Sequence, residues 1–498
     1  MLAKVGDIYS VFSPLLQQYV ACQVTQIKPA SSPREAPLAA VLELDWSGDA
    51  LPTAAEAAAM QPLLCDYYFW NKKYDHLYLT ANVPPGHVLI TNIAPLVERE
   101  VNSYGSTWNV GDSLARHRRW QQLDPVARER FKSASDQVEV ALGAHGMRQT
   151  STRVTDDILQ SLGSLDELDQ LPCMMTVETR HGTPELLDYL LRRPLVHELH
   201  WESDSMPELD LRSSNLKRLV LNPQGVTKVK LNDSLDFLSL TSLPTAGLQV
   251  EAADDGRLLT LQCVQALPKL TGLNRLDGLS LTGVETLDVE QVVQRFPVLT
   301  QLRLWGKPGT VSNLGALARL EHLQMLSTYD IFGFDGGDFP KAEQLPHLSS
   351  LWMSSLPAEA AKVIKAGYKK AAALGLDMSI RQPRKPEWLA ENLLNPFRDW
   401  DGREQISAAN AKKAAQAYKA MLAATRSIDA DNAPAVLDAM VRDYVAVFNK
   451  MERSGIIETV EREEIFCVLV DLFKQLRGQG LQFDEAALLD LMDSLRDF

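Results

Sequence analysis

A leucine pattern that recurs along the middle of the chain is the feature that most constrains its fold. Eight short L-x-x-L-x-L-like runs align on Leu199, Leu219, Leu238, Leu259, Leu279, Leu302, Leu323 and Leu351. Successive leucines in this series lie 20, 19, 21, 20, 23, 21 and 28 residues apart. A unit of this length cannot bury its apolar side chains alone, so stacked units must share one continuous core. The spacing therefore predicts a solenoid of about eight coils, each contributing one short strand to a shared sheet.

The other side of each coil carries a second signal half a period away. The runs MPELDL, VTKVKL and GLQV predict extended backbone on the convex side of the early coils. The runs VEQVVQRF and NLGALARL predict helical stretches at the same place in later coils.

The remaining sequence predicts three further regions, giving an α+β multidomain architecture. Residues 1–97 hold short runs rich in β-branched and aromatic residues, which favour a small β domain, either barrel-like or a strongly bent sheet. Residues 98–164 are predicted to form a helical connector, in which Asp124 caps a helix that starts at Pro125. The solenoid is assigned to residues 165–380, and residues 381–498 are predicted to form an α-helical bundle whose first long helix is capped by Ser407.

Composition limits the classes of partner. The formal charge of −14 opposes general binding to nucleic acid or to an anionic membrane. No stretch approaches eighteen consecutive apolar residues, and the N-terminus lacks an apolar core of signal-peptide length. The five cysteines are scattered without a C-x-x-C pair, so neither a disulfide framework nor a zinc site is indicated. These features predict a cytoplasmic protein that binds neither nucleic acid nor membrane.

Motifs for catalysis, metals or cofactors are weak. His197 and His200 lie three positions apart, and an odd spacing on a strand directs their rings to opposite faces. The segment RDWDGREQIS begins like a calcium loop, but Arg403 occupies a ligand position and the closing glutamate is missing. No nucleophile elbow and no phosphate-binding loop is present. The sequence therefore predicts a non-enzymatic protein with no cofactor and no metal.

The outward-facing positions of the predicted strands indicate where a partner binds. Residues that flank the last strand leucine point onto the concave face of such a sheet. In the early coils these positions are small or polar, whereas the last three coils gather Arg303, Trp305, His322, Gln324 and Trp352. Exposed tryptophan and arginine together are typical of a binding hot spot. Cover by the C-terminal helices is the alternative explanation of these side chains.

A loop beside these positions is a second candidate contact surface. The enlarged 28-residue step contains YDIFGFDGGDFP, residues 329–340, whose glycines and aspartates indicate a loop. Phe332, Phe334 and Asp335 are its predicted contact residues, although its phenylalanines also indicate that something buries the loop.

Three segments resemble known families. The middle of the chain resembles the leucine-rich-repeat superfamily, although the Asn or Cys that normally follows the strand is missing. Gly6, Asp7, Ile8, Tyr9, Gln23 and Val24 resemble the opening strands of small β-barrel immunity domains encoded beside bacterial polymorphic toxins. The tail IETVEREEIFCVLVDLF is similar to C-terminal segments of bacterial leucine-rich-repeat proteins, some loosely labelled gliding-motility proteins. That label transfers no functional residue.

These observations favour a protein-protein interaction protein over an enzyme. The first hypothesis is an immunity protein that neutralises a bacterial toxin, because the acidic balance suits a basic partner. The alternative is a regulatory scaffold or sensor in bacterial signalling or phage defence. A third hypothesis is an enzyme whose site lies in the aromatic patch of the N-terminal domain, residues 67–78.

Overall fold

The chain folds into two compact units, residues 1–383 and 384–498. The structure is a computed structural model and describes residues 2–30, 36–202, 206–426, 428–429, 432–453 and 455–498. The first unit contains an N-terminal antiparallel sheet, a short mixed segment and the long coil-forming region. The second unit is helical.

The N-terminal elements form an open, five-stranded antiparallel sheet. In chain order they are β1 (Asp7–Ser13), β2 (Gln18–Lys28), β3 (Leu38–Gly48), α1 (Ala54–Ala59), β4 (Leu64–Cys65), β5 (Lys73–Tyr74), β6 (His76–Thr80) and β7 (Val88–Asn92). The strand order is β6-β3-β2-β1-β7, so β6 and β7 form the two edges. Within the described residues these two strands do not pair with each other. A barrel requires that closure, so the predicted barrel-like domain is not confirmed.

The segment between the two sheets mixes helices with a hairpin. It contains α2 (Asp112–Gln122), α3 (Pro125–Ser133), the hairpin β8 (Glu139–Leu142) and β9 (His145–Arg148), then β10 (Arg153–Val154) and α4 (Asp156–Ser161). The Asp124 carboxylate accepts a hydrogen bond from the Ala127 N–H at 2.9 Å, and Pro125 begins α3, so the predicted cap is confirmed. β10 is already the first strand of the long sheet.

The coil-forming region builds an eleven-stranded sheet that starts at β10. Its further members are β11 (Thr176–Thr179), β12 (Glu198–Trp201), β14 (Arg218–Leu221), β16 (Phe237–Leu240), β18 (Thr260–Val264), β20 (Gly278–Asp288), β21 (Gln301–Ser312), β22 (Met325–Phe332), β23 (Ser350–Pro357) and β24 (Asp377–Arg384). All neighbouring pairs from β10 to β23 are parallel. The eight strands from β12 to β23 correspond to the eight predicted runs. This stack of parallel strands is the solenoid that the leucine spacing predicts.

The register of the strands corrects two of the eight aligned leucines. The buried leucines that face one another across the sheet are Leu199, Leu219, Leu238, Leu261, Leu279, Leu302, Leu326 and Leu351. Leu261 therefore replaces Leu259, and Leu326 replaces Leu323. The two predicted leucines are buried as well, but they lie before their strands. The register error of two residues at Leu259 leaves the neighbouring side chains on their predicted faces of the sheet. The error of three residues at Leu323 moves them to the opposite faces.

The convex side of the coils changes from strands to helices along the chain. The early coils carry a second parallel sheet of β13 (Glu208–Asp210), β15 (Lys228–Lys230), β17 (Leu248–Glu251) and β19 (Leu270–Thr271). Helices of this region are α5 (Pro184–Leu191), α6 (Val289–Arg295) and α7 (Ala358–Ala373), with a 3-10 turn at Leu314–Arg319. One continuous apolar cluster fills the space between the two sides, from Leu142 to Ile380. The predicted change from extended to helical backbone is confirmed.

The described residues of the second unit form five helices, of which the last four pack around a core of their own. They are α8 (Pro386–Asn392), α9 (Ala408–Thr425), α10 (Ala433–Glu452), α11 (Thr459–Gly478) and α12 (Glu485–Leu495). The Ser407 hydroxyl accepts from the Asn410 N–H at 3.3 Å, as a helix cap does. The buried faces of α10 and α11 centre on Tyr444, Phe448 and Phe473. The predicted helical character of this region is confirmed.

Candidate protein-binding face of the parallel sheet

The outward side chains of the long sheet form one continuous surface, called the open face below. Along β12 to β23, buried residues alternate with residues that point away from the core. The central outward column runs His200, Val220, Ser239, Gln262, Ser280, Arg303, Ser327 and Trp352. Side chains in the middle of this column are small or polar. The open face therefore carries short side chains in its middle, between two ends that differ in chemistry.

The end formed by the last four strands holds an aromatic cavity. The aromatic cavity has a volume of about 660 Å³ and is lined by Trp305, Ser327, Thr328, Tyr329, Trp352, Met353, Ser354, Asp377, Ser379 and Arg381. The Trp305 side chain is 44% exposed, although it lies directly beside the buried Leu304. Its ring meets that of Tyr329 edge-on, with ring centres 6.5 Å apart and planes at 69°. Two rings on neighbouring strands thus make one wall of the cavity.

Trp352 is fixed in place on the opposite side of the aromatic cavity. Its indole Nε1 donates to Asp377 Oδ2 of the adjacent strand at 2.9 Å. The neighbouring Ser354 hydroxyl donates to Gln382 Oε1 at 3.2 Å. These two hydrogen bonds connect β23 to β24. Because the first already restricts the rotamer of Trp352, a partner that buries this ring loses less conformational entropy on binding.

A change of backbone conformation ends the outward-facing part of several strands. The residue after the last outward position has a positive φ in several strands, as at Gly283 (φ 67°), Asp330 (φ 55°) and Ser355 (φ 54°). In β21 the equivalent position is Gly306, where an added Cβ would collide with the carbonyl oxygen of Asp330. Glycine is required there because the neighbouring backbone approaches too closely for any side chain. The pairing of β21 with β22 shifts register directly after Trp305, so Trp305 is the last outward residue of the regular pairing and lies at the rim of the open face.

The structure brings together three of the five predicted strand residues. Arg303, Trp305 and Trp352 all lie on the open face at the same end. His322 and Gln324 are exposed, but they lie in the turn before β22 and not on the strand. The corrected register accounts for this, because the outward residues of β22 are Met325, Ser327 and Tyr329. Their predicted place on the sheet face is therefore wrong.

The predicted loop surface is mostly interior. Phe332 ends β22 and is 4% exposed, and Phe334 is 8% exposed within the main core. Asp335 is exposed, and its carboxylate accepts from the Gly337 N–H at 2.6 Å inside a tight turn. The two phenylalanines hold the segment onto the core, so they offer no surface to a partner.

Sequence reasoning missed Tyr329, Asp377 and Arg381. The sequence places Tyr329 in the predicted loop of residues 329–340, whereas β22 extends to Phe332. Asp377, Ser379 and Arg381 alternate with the apolar Met378 and Ile380, which is the two-residue period of a half-buried strand. That alternation was the available signal for a further strand beside the predicted coils.

The opposite end of the open face is acidic. A cavity of about 420 Å³ there is lined by Asp156, Asp157, Glu178, Glu202 and His200, among others. The His200 ring lies between Glu198 Oε1 at 2.8 Å and Glu178 Oε1 at 3.3 Å. Arg153 pairs with Glu178, and Asn222 donates to Glu202 at 2.8 Å. Because most of these carboxylates already pair with groups of this protein, few of them are available to bind a partner at this end.

The N-terminal domain contains one perturbed carboxyl group. Glu43 is 5% exposed, and its Oε1 accepts from the backbone N–H groups of Gly111 at 3.1 Å and Leu114 at 2.9 Å. The pKa of Glu43 is raised to about 8, chiefly by burial and also by the nearby Asp75 and Asp112 charges, whereas the hydrogen bonds from Leu114 and Gly111 lower it. The Glu43 side chain thereby satisfies N–H groups at the start of α2 that have no partner within the helix. Among the described residues, no group of three or more His, Cys, Asp or Glu side chains is arranged to hold a metal ion.

Comparison with known proteins does not assign the chain to a family. No family model matches the chain, and no curated protein matches it. Among solved structures it is similar to an internalin from Listeria monocytogenes, with 14% identity and a TM-score of 0.25 over 48% of this chain and 84% of that chain. So low a likeness carries no inference, and the parallel register described above is what identifies the coil architecture. No helix in the described part of the chain is both long and apolar enough to cross a bilayer.

Proposed function

We propose that this protein binds another protein through the aromatic cavity of the open face. One observation carries the proposal: Trp305, Tyr329 and Trp352 gather at one end of a sheet face whose middle is small or polar and whose other end is acidic. Aromatic residues held rigidly on a preformed surface are the usual centre of a protein interface. Each tryptophan contributes on the order of 2 kcal/mol when a partner removes it from water.

The proposal is non-catalytic, since the cavity holds aromatic, serine and threonine side chains with one carboxylate and one guanidinium. Among the described residues, no serine or threonine hydroxyl of this set is hydrogen-bonded to Asp377, whereas covalent catalysis uses a nucleophile in contact with a base. A rigid surface of aromatic rings instead suits the burial of a partner's apolar side chains.

Neutralisation of a basic bacterial toxin is the finer form of this proposal. The net charge of −14 supports it, because an acidic protein attracts a basic partner over long range. A regulatory scaffold or sensor in signalling or phage defence is the alternative. The identity of the captured partner separates the two: a secreted toxin supports the first, and a signalling or defence protein supports the second.

The test compares capture of partners by three tagged versions of the full chain. The double variant Trp305→Ala with Trp352→Ala is expected to lose the partner that the wild type captures from its native host. Tyr104→Ala is the matched control, because Tyr104 is a 58% exposed aromatic residue of the N-terminal domain. Circular dichroism must show unchanged folding of all three. Equal capture by the double variant would end the proposal.

A further inference from the structure

Two arginines at one end of the open face differ from the other six arginines between residues 198 and 382: Arg381 lines the aromatic cavity, and Arg303 lies beside it on β21. Between residues 198 and 382 the chain has eight arginines. Five of these pair with carboxylates: Arg212, Arg218, Arg257, Arg275 and Arg319. Arg295 donates to the backbone carbonyl of Gly272. Arg303 and Arg381 have no ion pair with any described residue, and both are exposed.

The lack of partners is notable because carboxylates are abundant in this chain. It has 64 acidic residues against 50 lysines and arginines, so an unpaired arginine is not a consequence of composition. The cavity does contain one carboxylate, Asp377, but Asp377 accepts the indole N–H of Trp352 at 2.9 Å. Its charge is thus partly committed to holding that ring.

The two arginines lie on the first and the last of the four strands at this end of the open face. Arg303 lies on β21 in the outward column of Ser327 and Trp352, and Arg381 lines the cavity from β24. At a strand spacing of about 4.8 Å, the two strands are roughly 14 Å apart. The surface therefore has a guanidinium group on β21 and another on β24, with the rings of Trp305, Tyr329 and Trp352 on β21, β22 and β23.

A guanidinium group recognises a carboxylate with two parallel hydrogen bonds, and this pairing strengthens where neighbouring rings exclude water. Large apolar side chains fill the space between exposed rings. We infer that the aromatic cavity takes a protein segment in which a large apolar residue is flanked by acidic residues. This inference rests on the proposed function and specifies the local chemistry of the partner. It is compatible with a partner of basic overall charge, since net charge acts on approach and these contacts act after docking.

In an extended segment, which advances about 3.3 Å per residue, carboxylates roughly 14 Å apart are separated by about four residues. The expected pattern is therefore an acidic residue, an apolar anchor one or two positions later, and a second acidic residue at about that distance from the first.

The experiment uses a phage-displayed library of random dodecapeptides, selected on the immobilised full chain. Parallel selections use Arg303→Gln with Arg381→Gln, and Trp305→Ala with Trp352→Ala. Arg180→Gln is the matched control, because Arg180 is an exposed arginine at the opposite end of the same face. The most enriched sequence is then synthesised and titrated against each version of the protein.

We expect the wild type and Arg180→Gln to enrich peptides with acidic residues around a Leu, Phe or Trp. The double arginine variant should lose the acidic preference and bind the synthetic peptide about tenfold or more weakly. Enrichment of apolar peptides with no acidic preference, or with lysine and arginine instead, would overturn this inference and leave the proposed function standing. Selection of the same peptides by the tryptophan double variant would overturn both.

Discussion

The alternation of β21 allows a sharp test with two consecutive residues. Leu302 is 0% exposed and faces Leu279 and Leu326 on the neighbouring strands, whereas Arg303 points outward without an ion pair among the described residues. Leu302→Ala removes a fully buried side chain from a core of close-packed leucines. Arg303→Ala removes an exposed one. If the register is as described, the two substitutions must have very different effects on stability.

The expected magnitudes follow from burial. Truncation of a buried leucine to alanine costs about 2–5 kcal/mol, with the larger values where the surroundings cannot collapse into the cavity. Leu302 is held between two hydrogen-bonded strands, so we expect about 3 kcal/mol. Since about 1.4 kcal/mol is a factor of ten, the folded-to-unfolded ratio of the first unit should fall roughly 100-fold or more. Arg303→Ala should change stability by no more than about 0.5 kcal/mol.

The measurement is urea unfolding of the full chain, followed by far-ultraviolet circular dichroism. The midpoint of the sheet-containing transition should fall for Leu302→Ala and stay in place for Arg303→Ala. Leu302→Met is the control for side-chain volume and should cost less than about 1.5 kcal/mol. An Arg303→Ala variant as unstable as Leu302→Ala would show that this strand does not have the described alternation.

Further predictions address the other parts of the molecule. Because the pKa of Glu43 is raised to about 8 in the folded chain, its contribution to stability is fully present below about pH 4.5 and is lost as pH rises through about 8. Glu43→Gln should flatten that decline, as seen in thermal unfolding midpoints between pH 5 and pH 9; an equal decline in both proteins would refute the assignment. In the second unit, Arg403 pairs with the buried Glu461 and with Glu464, so Arg403→Met should leave an uncompensated charge and destabilise that unit by about 3 kcal/mol in urea unfolding. No shift of its transition would show that the pair is dispensable. His322→Ala with Gln324→Ala should leave partner capture intact, because both residues lie outside the strand; lost capture would instead favour their predicted place on the face.

The predicted residues that proved correct share a local cause. The inward and outward sides of β21 and β23 follow from a two-residue period, which the chain shows within five or six residues. Arg303, Trp305 and Trp352 could therefore be assigned to one face without coordinates. The helix caps Asp124 and Ser407 are local in the same sense, because each needs only the N–H groups of the next turn.

The predictions that failed depended on distant parts of the chain. LEHLQML offers leucines at three candidate positions, and only the pairing of β22 with β21 selects Leu326. Closure of the N-terminal sheet would have required β6 and β7 to pair, and strand composition does not report which edges meet. Tyr329, Asp377 and Arg381 join the cavity only because three strands stack in order.

The amino-acid sequence by itself determined that this protein has a repeated row of buried leucines, with aromatic and cationic side chains on the opposite face of the same strands. Periodicity is a property of neighbouring residues, so it survives without knowledge of the fold. Only the tertiary structure decided the register between neighbouring strands. That choice depends on loop lengths and on packing between coils, and it set which side chains surround the aromatic cavity.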